Sequence, residues 1–324
     1  MNDVLVSIVI PAHGHEGMTR ACVESVLKTL DETQTVEVIV VDDYSPVPIA
    51  LTGIDDSRVR VVRTSENLRF SRACNYGASQ ASGRYLLFLN NDTAPKPGWL
   101  TAMVATAEAD PMIGVVGARL LYRDGTVQHA GVAFSQRDGV PRHVYRGFPG
   151  DHPVVLRDRS FQAVTAACIL IRSEAFATAG GFDGAYNNGY EDIDLCLRLR
   201  DAGYRTHYCG SAVVEHFESV SRRGEVENLD PAADPNLTLF LSRWADTTQR
   251  DELNVYADDD LLWVDSGEIY PLVMRCAEEL AVVGDITDAT SLARLLNIRS
   301  HQVFDLEKEI GYLSSRLLDH GIAP

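Results

Sequence analysis

The sequence predicts an open α/β protein, a central sheet with helices on both faces, and three observations predict it. Short runs of Val, Ile and Leu alternate with stretches of helical periodicity, which is the pattern of βαβ units. These runs lack the polar alternation of a half-exposed strand, so both of their faces must be covered. Several stop abruptly in polar residues, most sharply Arg84-Tyr-Leu-Leu-Phe-Leu-Asn-Asn-Asp92, and the carboxyl ends of strands are where open α/β sheets bind ligands.

Val4-Leu-Val-Ser-Ile-Val-Ile10 is β-branched and bounded by Pro11, which makes it the first strand, with Pro11-Ala-His-Gly-His15 as the loop beyond it. Cys22, Val23, Val26, Leu27 and Leu30 fall at helical spacing, with Thr19, Glu24 and Lys28 on the other side, so residues 18–30 form a helix packed on the sheet. A second strand over residues 36–41 stops at Asp42-Asp43-Tyr-Ser-Pro46. Residues 59–62 are a short third strand, and residues 70–82 a second helix that Gly83 ends. Residues 84–89 are a fourth strand, which Pro95 and Pro97 keep from continuing past Asp92. Strands joined by right-handed crossovers point the same way, so the loops after Ile10, Val41 and Leu89 line one crevice.

Residues 99–109 are a further helix and residues 113–118 another strand. The stretch 125–155 mixes Gly, Pro, His, Arg and aromatics with little periodicity and reads as a long loop region, functional or mobile. Residues 163–171 return to a buried strand, Ser173 caps the helix that follows, and Gly180-Gly-Phe-Asp183 is a turn. Ile193, Leu195, Cys196, Leu197 and Leu199 form the apolar side of a helix over residues 191–201. Residues 211–214 are a last short strand leading into Glu215-His216, and residues 236–244 a closing helix. Val303, Leu306, Ile310, Leu313 and Leu317 then place a two-heptad seam on a helix, which either docks on its own domain or meets a second copy to form a homo-oligomer. The domain reading is a catalytic unit over 1–225, a closing helix and linker over 226–260, and an acidic helical extension over 261–324.

Composition narrows the classes. With 324 residues, 45% hydrophobic and 23% charged, the chain can bury a large core and is neither disordered nor fibrous. A formal charge of −17, from 46 acidic and 29 basic residues, excludes a general nucleic-acid-binding surface. From Asp251 to Pro324 there are fifteen acidic and five basic residues, so the excess is concentrated there. Six cysteines lie far apart with no C-x-x-C pair, which reads as core thiols rather than zinc or redox chemistry. No signal sequence and no apolar run of roughly 20 residues is present. The expectation is a cytoplasmic protein, at most peripheral to the inner face of the membrane.

Four constellations could carry chemistry. Asp92 at a strand end, flanked by amides, suits a hard divalent cation on a diphosphate, or is an ordinary polar strand terminus. Asp42-Asp43 could accept hydrogen bonds from a ribose or base, or could make a turn. Glu191, Asp192 and Asp194 at a helix start either complement the helix dipole or supply a general base. His216, ending a strand, is a core residue unless the fold brings it to Asp92. Neither G-x-G-x-x-G after the first strand nor G-x-x-x-x-G-K-[ST] occurs, so a bound phosphate would need a metal.

In order and spacing over residues 4–220 the chain resembles the family 2 glycosyltransferases, inverting enzymes. The matching stretches are Val6-Ser-Ile-Val-Ile-Pro-Ala12, Val40-Val-Asp-Asp43, Glu66-Asn-Leu-Arg-Phe-Ser-Arg-Ala-Cys-Asn75, Gly83-Arg-Tyr-Leu-Leu-Phe-Leu-Asn-Asn-Asp92, Gly180-Gly-Phe-Asp183 and Gly189-Tyr-Glu-Asp-Ile-Asp-Leu-Cys-Leu-Arg198. The resemblance implies the GT-A nucleotide-diphospho-sugar transferase fold, a mixed central sheet flanked by helices, here with a C-terminal helical extension. It implies a nucleoside-diphosphate sugar as donor and a glycan or glycolipid hydroxyl as acceptor. Asp43 would bind the base in a pocket lined by Pro11 and Ala12. Arg69, where many relatives have Gly, would join Asn75 and Asn91 in the donor site. Asp92 matches the last carboxylate of the D-x-D motif that holds manganese or magnesium, with His216 completing the metal shell. Asp192 matches the catalytic base, and Glu191 its neighbour at the acceptor site. His129, Arg142, His143 and Arg146 are the expected source of acceptor or sugar contacts.

Two departures refine this. Asn90 and Asn91 replace the first carboxylates of the metal motif, a pattern similar to rhamnosyltransferase-like members, which points to a UDP- or dTDP-linked donor. With Asp92 alone, the cation binds weakly until a diphosphate adds oxygens. The Q-x-x-R-W signature of processive synthases is reduced to Arg243-Trp244, which favours a single addition. The rival readings are a nucleotidyltransferase, for which the first loop is poor in cations, and a catalytically silent member that binds a glycan or partner through its acidic C-terminal helices.

Overall fold

The computed structural model describes residues 4–30, 35–135, 138–217, 234–264 and 272–274. The predicted seam from Val303 to Leu317 and Cys276 lie outside the described residues.

The first half follows the sequence reading closely. β1 (Val6–Ala12), β2 (Val36–Asp42), β3 (Val59–Arg63) and β4 (Tyr85–Leu89) pair in parallel in the order β4-β1-β2-β3. The helix α1 (Glu16–Thr29) joins β1 to β2, and α2 (Arg69–Ser79) joins β3 to β4. Pro11 lies inside β1 instead of ending it, opposite Val41. It is tolerated because pairing with β4 has already stopped at Val9 and Phe88. Along β1, Val6, Ile8 and Ile10 enter one apolar cluster with Cys22, Val23 and Val26 of α1, whereas Val9 enters a second with Ala73 and Cys74 of α2. Alternation between two cores is what a strand apolar on both faces requires.

α2 ends three residues before the predicted stop. Gly83 terminates nothing; a Cβ there would sit 2.6 Å from the Ser7 nitrogen, so the close approach of β1 demands glycine. Gly77 is set by packing too, since its Cβ would lie 2.4 Å from Val9 Cγ1 and 2.8 Å from Val41 Cγ2.

The second half departs more. After β4 the chain turns through residues 90–92 into β5 (Thr93–Pro95), a short strand where the prolines predicted loop. α3 (Trp99–Ala109) covers the same face as α1, and β6 (Ile113–Leu121) follows. The stretch 125–155 is not a loose loop. β7 (Val127–His129) pairs with β6, β8 (Val132–Phe134) pairs with β9 (Pro141–His143), and a 3₁₀ turn spans Pro153–Leu156. Val127, His129, Val132, Phe134, Val144 and Tyr145 there are buried. Strands of three residues are too short to show a period of two, which is why the sequence hid them.

β10 (Arg159–Phe161), β11 (Cys168–Arg172), α4 (Ser173–Thr178), α5 (Glu191–Asp201) and β12 (Arg205–His216) complete the ten-stranded mixed sheet, whose main path runs β10-β12-β6-β11-β4-β1-β2-β3. Ser173 is the first helical residue, not the cap; its hydroxyl donates to the Gly83 carbonyl at 2.6 Å. β11 runs antiparallel to both β4 and β6, so those two point the same way, and β12 is parallel to β6. The carboxyl ends of β1, β2, β4, β6 and β12 therefore open on one edge. β12 is twelve residues long rather than the predicted four, with a register shift between Cys209 and Val213. Beyond that shift its last three residues pair with β5, His216 opposite Thr93.

α6 (Pro235–Trp244) and α7 (Glu252–Asp258) pack back on this body. Asp259, its side chain 2% exposed, accepts hydrogen bonds from Arg159 at 2.9 and 3.1 Å, from Arg157 at 3.1 Å and from the Tyr145 hydroxyl. β13 (Leu262–Val264) and β14 (Leu272–Met274) pair antiparallel, so the described part of the predicted helical extension is a strand pair.

At the end of β2, Asp42 accepts from the Ser45 nitrogen at 2.9 Å, the Ile49 nitrogen at 3.1 Å and the Arg63 guanidinium. Burial alone would raise its pKa, but the donors of Ser45, Arg63 and Ile49 outweigh burial and hold it below the ordinary carboxylate value. The stabilisation is thus present above the ordinary Asp range and lost as pH falls through the depressed value. Asp42→Asn is expected to cost about 1–3 kcal/mol near neutrality, with the gap to wild type closing in acid; a gap in urea midpoints that widens on acidification contradicts this. Gly77→Ala, favoured by about 1 kcal/mol from helix propensity alone, is expected instead to destabilise by about 1–3 kcal/mol through overpacking on Val9 and Val41. An unchanged or raised urea midpoint would show that the contact yields.

Candidate active site

The turn after β4 and the end of β12 build the centre of the site. The Phe217 nitrogen donates to the Asp92 carbonyl at 2.9 Å, which lays the end of β12 along the turn. His216 Nε2 then lies 3.1 Å from Asp92 Oδ1, with 11% and 13% of the two side chains exposed. On its other side His216 Nδ1 donates to Gln128 Oε1 at 2.7 Å, and in that tautomer the neutral ring turns the Nε2 lone pair toward the carboxylate. Two acceptors that close repel each other unless a proton or a cation lies between them. The spacing is near that of adjacent ligands on a cation with bonds of about 2.1 Å, so carboxylate and imidazole fit a divalent ion. Among the described residues no cluster of three His, Cys, Asp or Glu side chains could hold a metal.

Asn90 and Asn91 support this turn. The Asn90 nitrogen donates to the Ala167 carbonyl at 3.0 Å and its amide nitrogen lies 3.4 Å from His216 Nε2. Asn91 donates to Thr19 Oγ1 of α1 at 3.0 Å. Cys22 packs beneath, its sulfur 3.5 Å from the Asn90 carbonyl. Burial pushes that thiol up to about 11, against hydrogen bonding with Thr93, so it is no nucleophile near neutrality.

The segment that receives Asn90 also receives the acidic helix. The Ala166 nitrogen donates to Asp192 Oδ2 at 3.0 Å, next to the Ala167 carbonyl bonded by Asn90, so Asp92 and Asp192 belong to one loop cluster. The three carboxylates of α5 separate by environment. Asp194 is fully buried and accepts from Arg198 Nε at 2.7 Å, Trp244 Nε1 at 2.9 Å, and Tyr186 and Arg243 at 3.3 Å each. It ties α5 to α6, and the two residues left of the processive signature serve that tie. Glu191, also buried, accepts from the Gly189 nitrogen at 2.5 Å. Asp192 is partly exposed, its second oxygen accepting from the Ile193 nitrogen at 2.9 Å. Tyr190, before them, has φ 70° and stacks on Phe240 of α6, the centroids 5.5 Å apart.

Pro11 and Ala12 end β1 beside Asp43, whose nitrogen donates to the Ala12 carbonyl at 2.8 Å. The Asp43 carboxylate, 4% exposed, accepts from the Leu68 nitrogen at 2.7 Å, the Arg69 nitrogen at 2.9 Å and Thr64 Oγ1 at 3.1 Å. It thereby fixes the entry to α2. Arg69 is exposed with φ 62°, a conformation that favours glycine and accounts for the glycine that the resemblance places there. Asn75 lies elsewhere: its amide donates to the Phe182 carbonyl at 2.8 Å and accepts from the Phe182 nitrogen at 2.9 Å, clamping the Gly180-Gly-Phe-Asp183 turn. Of the residues expected in the long loop, His143 packs edge-on against buried His129, their centroids 4.7 Å apart, and Arg146 donates to the Tyr122 hydroxyl at 2.8 Å. Gln128 escaped the sequence reading. The only signal was the brief alternation of Val127-Gln-His129 between Gly125 and Gly131.

Residues 7–177 match the model of the family described as Glycosyl transferase family 2. Uncharacterized protein y4gI of Sinorhizobium fredii is 37% identical over 270 residues, covering 72% of this chain and 29% of its own length. The O-antigen biosynthesis protein RfbC of Myxococcus xanthus is 33% identical over 230 residues, covering 68% of this chain and 18% of its own. The chain thus spans less than a third of either relative. The N-acetylglucosaminyl-diphospho-decaprenol L-rhamnosyltransferase of Mycobacterium tuberculosis is 27% identical over 184 residues, half of this chain and 60% of its own length. Among solved structures, GalNAc-T7 with UDP, GalNAc and Mn2+ superposes with a TM-score of 0.55 at 19% identity, over 67% of this chain and 44% of that one, a likeness of fold.

Proposed function

This chain belongs to glycosyl transferase family 2, and from that membership and the geometry of its crevice we propose that it transfers a single sugar, with inversion, from a UDP- or dTDP-linked donor to a hydroxyl of a glycan or glycolipid. The observation that carries the proposal is the Asp92–His216 pair at 3.1 Å, on the loop cluster that also holds Asp192. A cation between nucleotide and protein is supported by the fold neighbour crystallised with UDP and Mn2+. The rhamnosyltransferase and O-antigen biosynthesis relatives support a deoxyhexose or hexose donor and a polysaccharide product.

Asp192 takes the proton of the acceptor hydroxyl as its oxygen attacks the anomeric carbon. The bond to the diphosphate breaks on the opposite face, and the anomeric configuration inverts. Bonds from the Ala166 and Ile193 nitrogens hold that carboxylate in place, and Glu191 fixes the Gly189 turn that approaches it. Manganese or magnesium held by Asp92 and His216 supplies, when bound, positive charge for the departing diphosphate. Pro11, Ala12 and Asp43 border the base, Arg69 stands at the same edge, and Asn91 braces the metal turn on α1. Asn75 acts from the turn it clamps. These roles fall within residues 1–225, closed by residues 226–260, with residues 261–324 as a further extension. Among the described residues no helix is long and apolar enough to cross a membrane.

Asp192→Asn is expected to lower transfer roughly 10²–10⁴-fold while leaving UDP or dTDP binding intact; near-wild-type transfer rules out Asp192 as base. Asp92→Ala is expected to abolish the manganese dependence of nucleotide binding in calorimetry. Binding that never depends on manganese, in the wild type, overturns the metal reading.

A further inference from the structure

We infer that Gln128 is a positioning residue for the reaction: its side-chain carbonyl selects the His216 tautomer whose Nε2 lone pair faces Asp92. The inference rests on the reading of Asp92 and His216 as the cation pair, and adds a residue that reading lacks.

Gln128 is 5% exposed and its main chain is held from several sides. The flanking residues Val127 and His129 lie opposite Leu121 and Leu120 of β6, with a register irregularity between them. The Val127 nitrogen donates to the Phe148 carbonyl at 2.7 Å, and the Gly147 nitrogen to the Val127 carbonyl at 2.8 Å. The Gln128 carbonyl meets His143 Nδ1 at 3.3 Å. With the backbone fixed, the amide reaches the end of β12, where Oε1 accepts a hydrogen bond from His216 Nδ1 at 2.7 Å. A neutral imidazole carries one proton, so placing it on Nδ1 leaves Nε2 as acceptor. A second group agrees: the Asn90 amide nitrogen, which can only donate, lies 3.4 Å from Nε2. A carbonyl on one ring nitrogen and an NH₂ on the other favour the same tautomer, the one that can bind a metal through Nε2.

β7 lies beyond β6 from β12, and only a side chain as long as glutamine's spans β6 to meet His216 from there. A carboxylate would accept the same proton, whereas an apolar side chain of equal length would fill the space and leave the tautomer unselected.

The test uses the full chain with histidine labelled in ¹⁵N, in alkaline buffer without cation, the His216 signals being identified by their loss in His216→Ala. Wild type is expected to show His216 as the Nδ1–H form. Gln128→Met is expected to shift it toward Nε2–H and to weaken binding of manganese with UDP, measured by calorimetry, about 10–100-fold; Gln128→Glu restores both. The inference is overturned if wild-type His216 is the Nε2–H form, a measurement that stands even where Gln128→Met fails to fold. It is equally overturned if Gln128→Met keeps both tautomer and affinity, or if Gln128→Glu is no better than Gln128→Met. Undiminished affinity in His216→Ala would instead sink the cation reading, which the tautomer measurement does not use.

Discussion

Three residue pairs hold the end of β12 against the turn that follows β4. Val214, Glu215 and His216 at the end of β12 pair with Pro95, Ala94 and Thr93 of β5, and that short antiparallel ladder holds an imidazole against the carboxylate that follows β4. The two side chains come from the ends of strands that β6 and β11 separate in the sheet, so no local sequence rule could join them. The register shift between Cys209 and Val213 makes the meeting geometrically possible, because it lets one strand serve β6 along its length and β5 at its tip. Most other features of the edge serve this junction: Asn91 anchors the turn to α1, Asn90 anchors it to the segment before β11, and Gln128 approaches from the far side of β6.

The three acidic residues at the start of α5 illustrate how burial divides labour among identical chemical groups. A fully enclosed carboxylate is tolerable only when its lone pairs are taken, and Asp194 meets that condition with donors from α5, α6 and Tyr186. Asp192 accepts from the Ala166 and Ile193 backbone nitrogens and stays partly open to solvent. Asp42 and Asp43 divide in the same manner: one carboxylate organises the loop after β2 and the other the entry to α2.

Much of this was legible in the residues. Apolar runs of five to seven residues located β1, β2 and β4, and the helical spacing of Cys22, Val23 and Val26 located α1, because fully buried elements leave no ambiguity about which positions must be apolar. Asp92, Asp192 and His216 could be singled out from their places at element ends and from the family resemblance. Illegible were the elements that long-range pairing stabilises. β5 contains a proline, β7 to β10 are three residues each, and the first half of β12 carries Arg205, His207 and Gly210; each is a strand because a neighbour offers it a ladder, and a neighbour is not a local property. Glycines misled for the same reason: Gly83 looked like a helix terminator and is a point of contact with β1. Nor could the sequence show that the Asn75 amide bonds both backbone groups of Phe182.

The buried Asp259 has a consequence for where the folded unit ends. Its two arginines, Arg157 and Arg159, stand on the near side of the sheet, and the Tyr145 hydroxyl points to the same carboxylate; Gln162 likewise donates to Asp251 at 2.8 Å. Removing the chain after residue 225 would strand these donors and also take Trp244 from Asp194. Leaving the buried Asp194 carboxylate short of a donor costs about 1–3 kcal/mol, a sizeable share of what holds a domain together. The residues proposed to touch donor and acceptor lie before residue 225, yet the buried contacts of the body run on to Leu261. A boundary drawn by conserved-looking motifs and one drawn by folding energy thus differ by some three dozen residues.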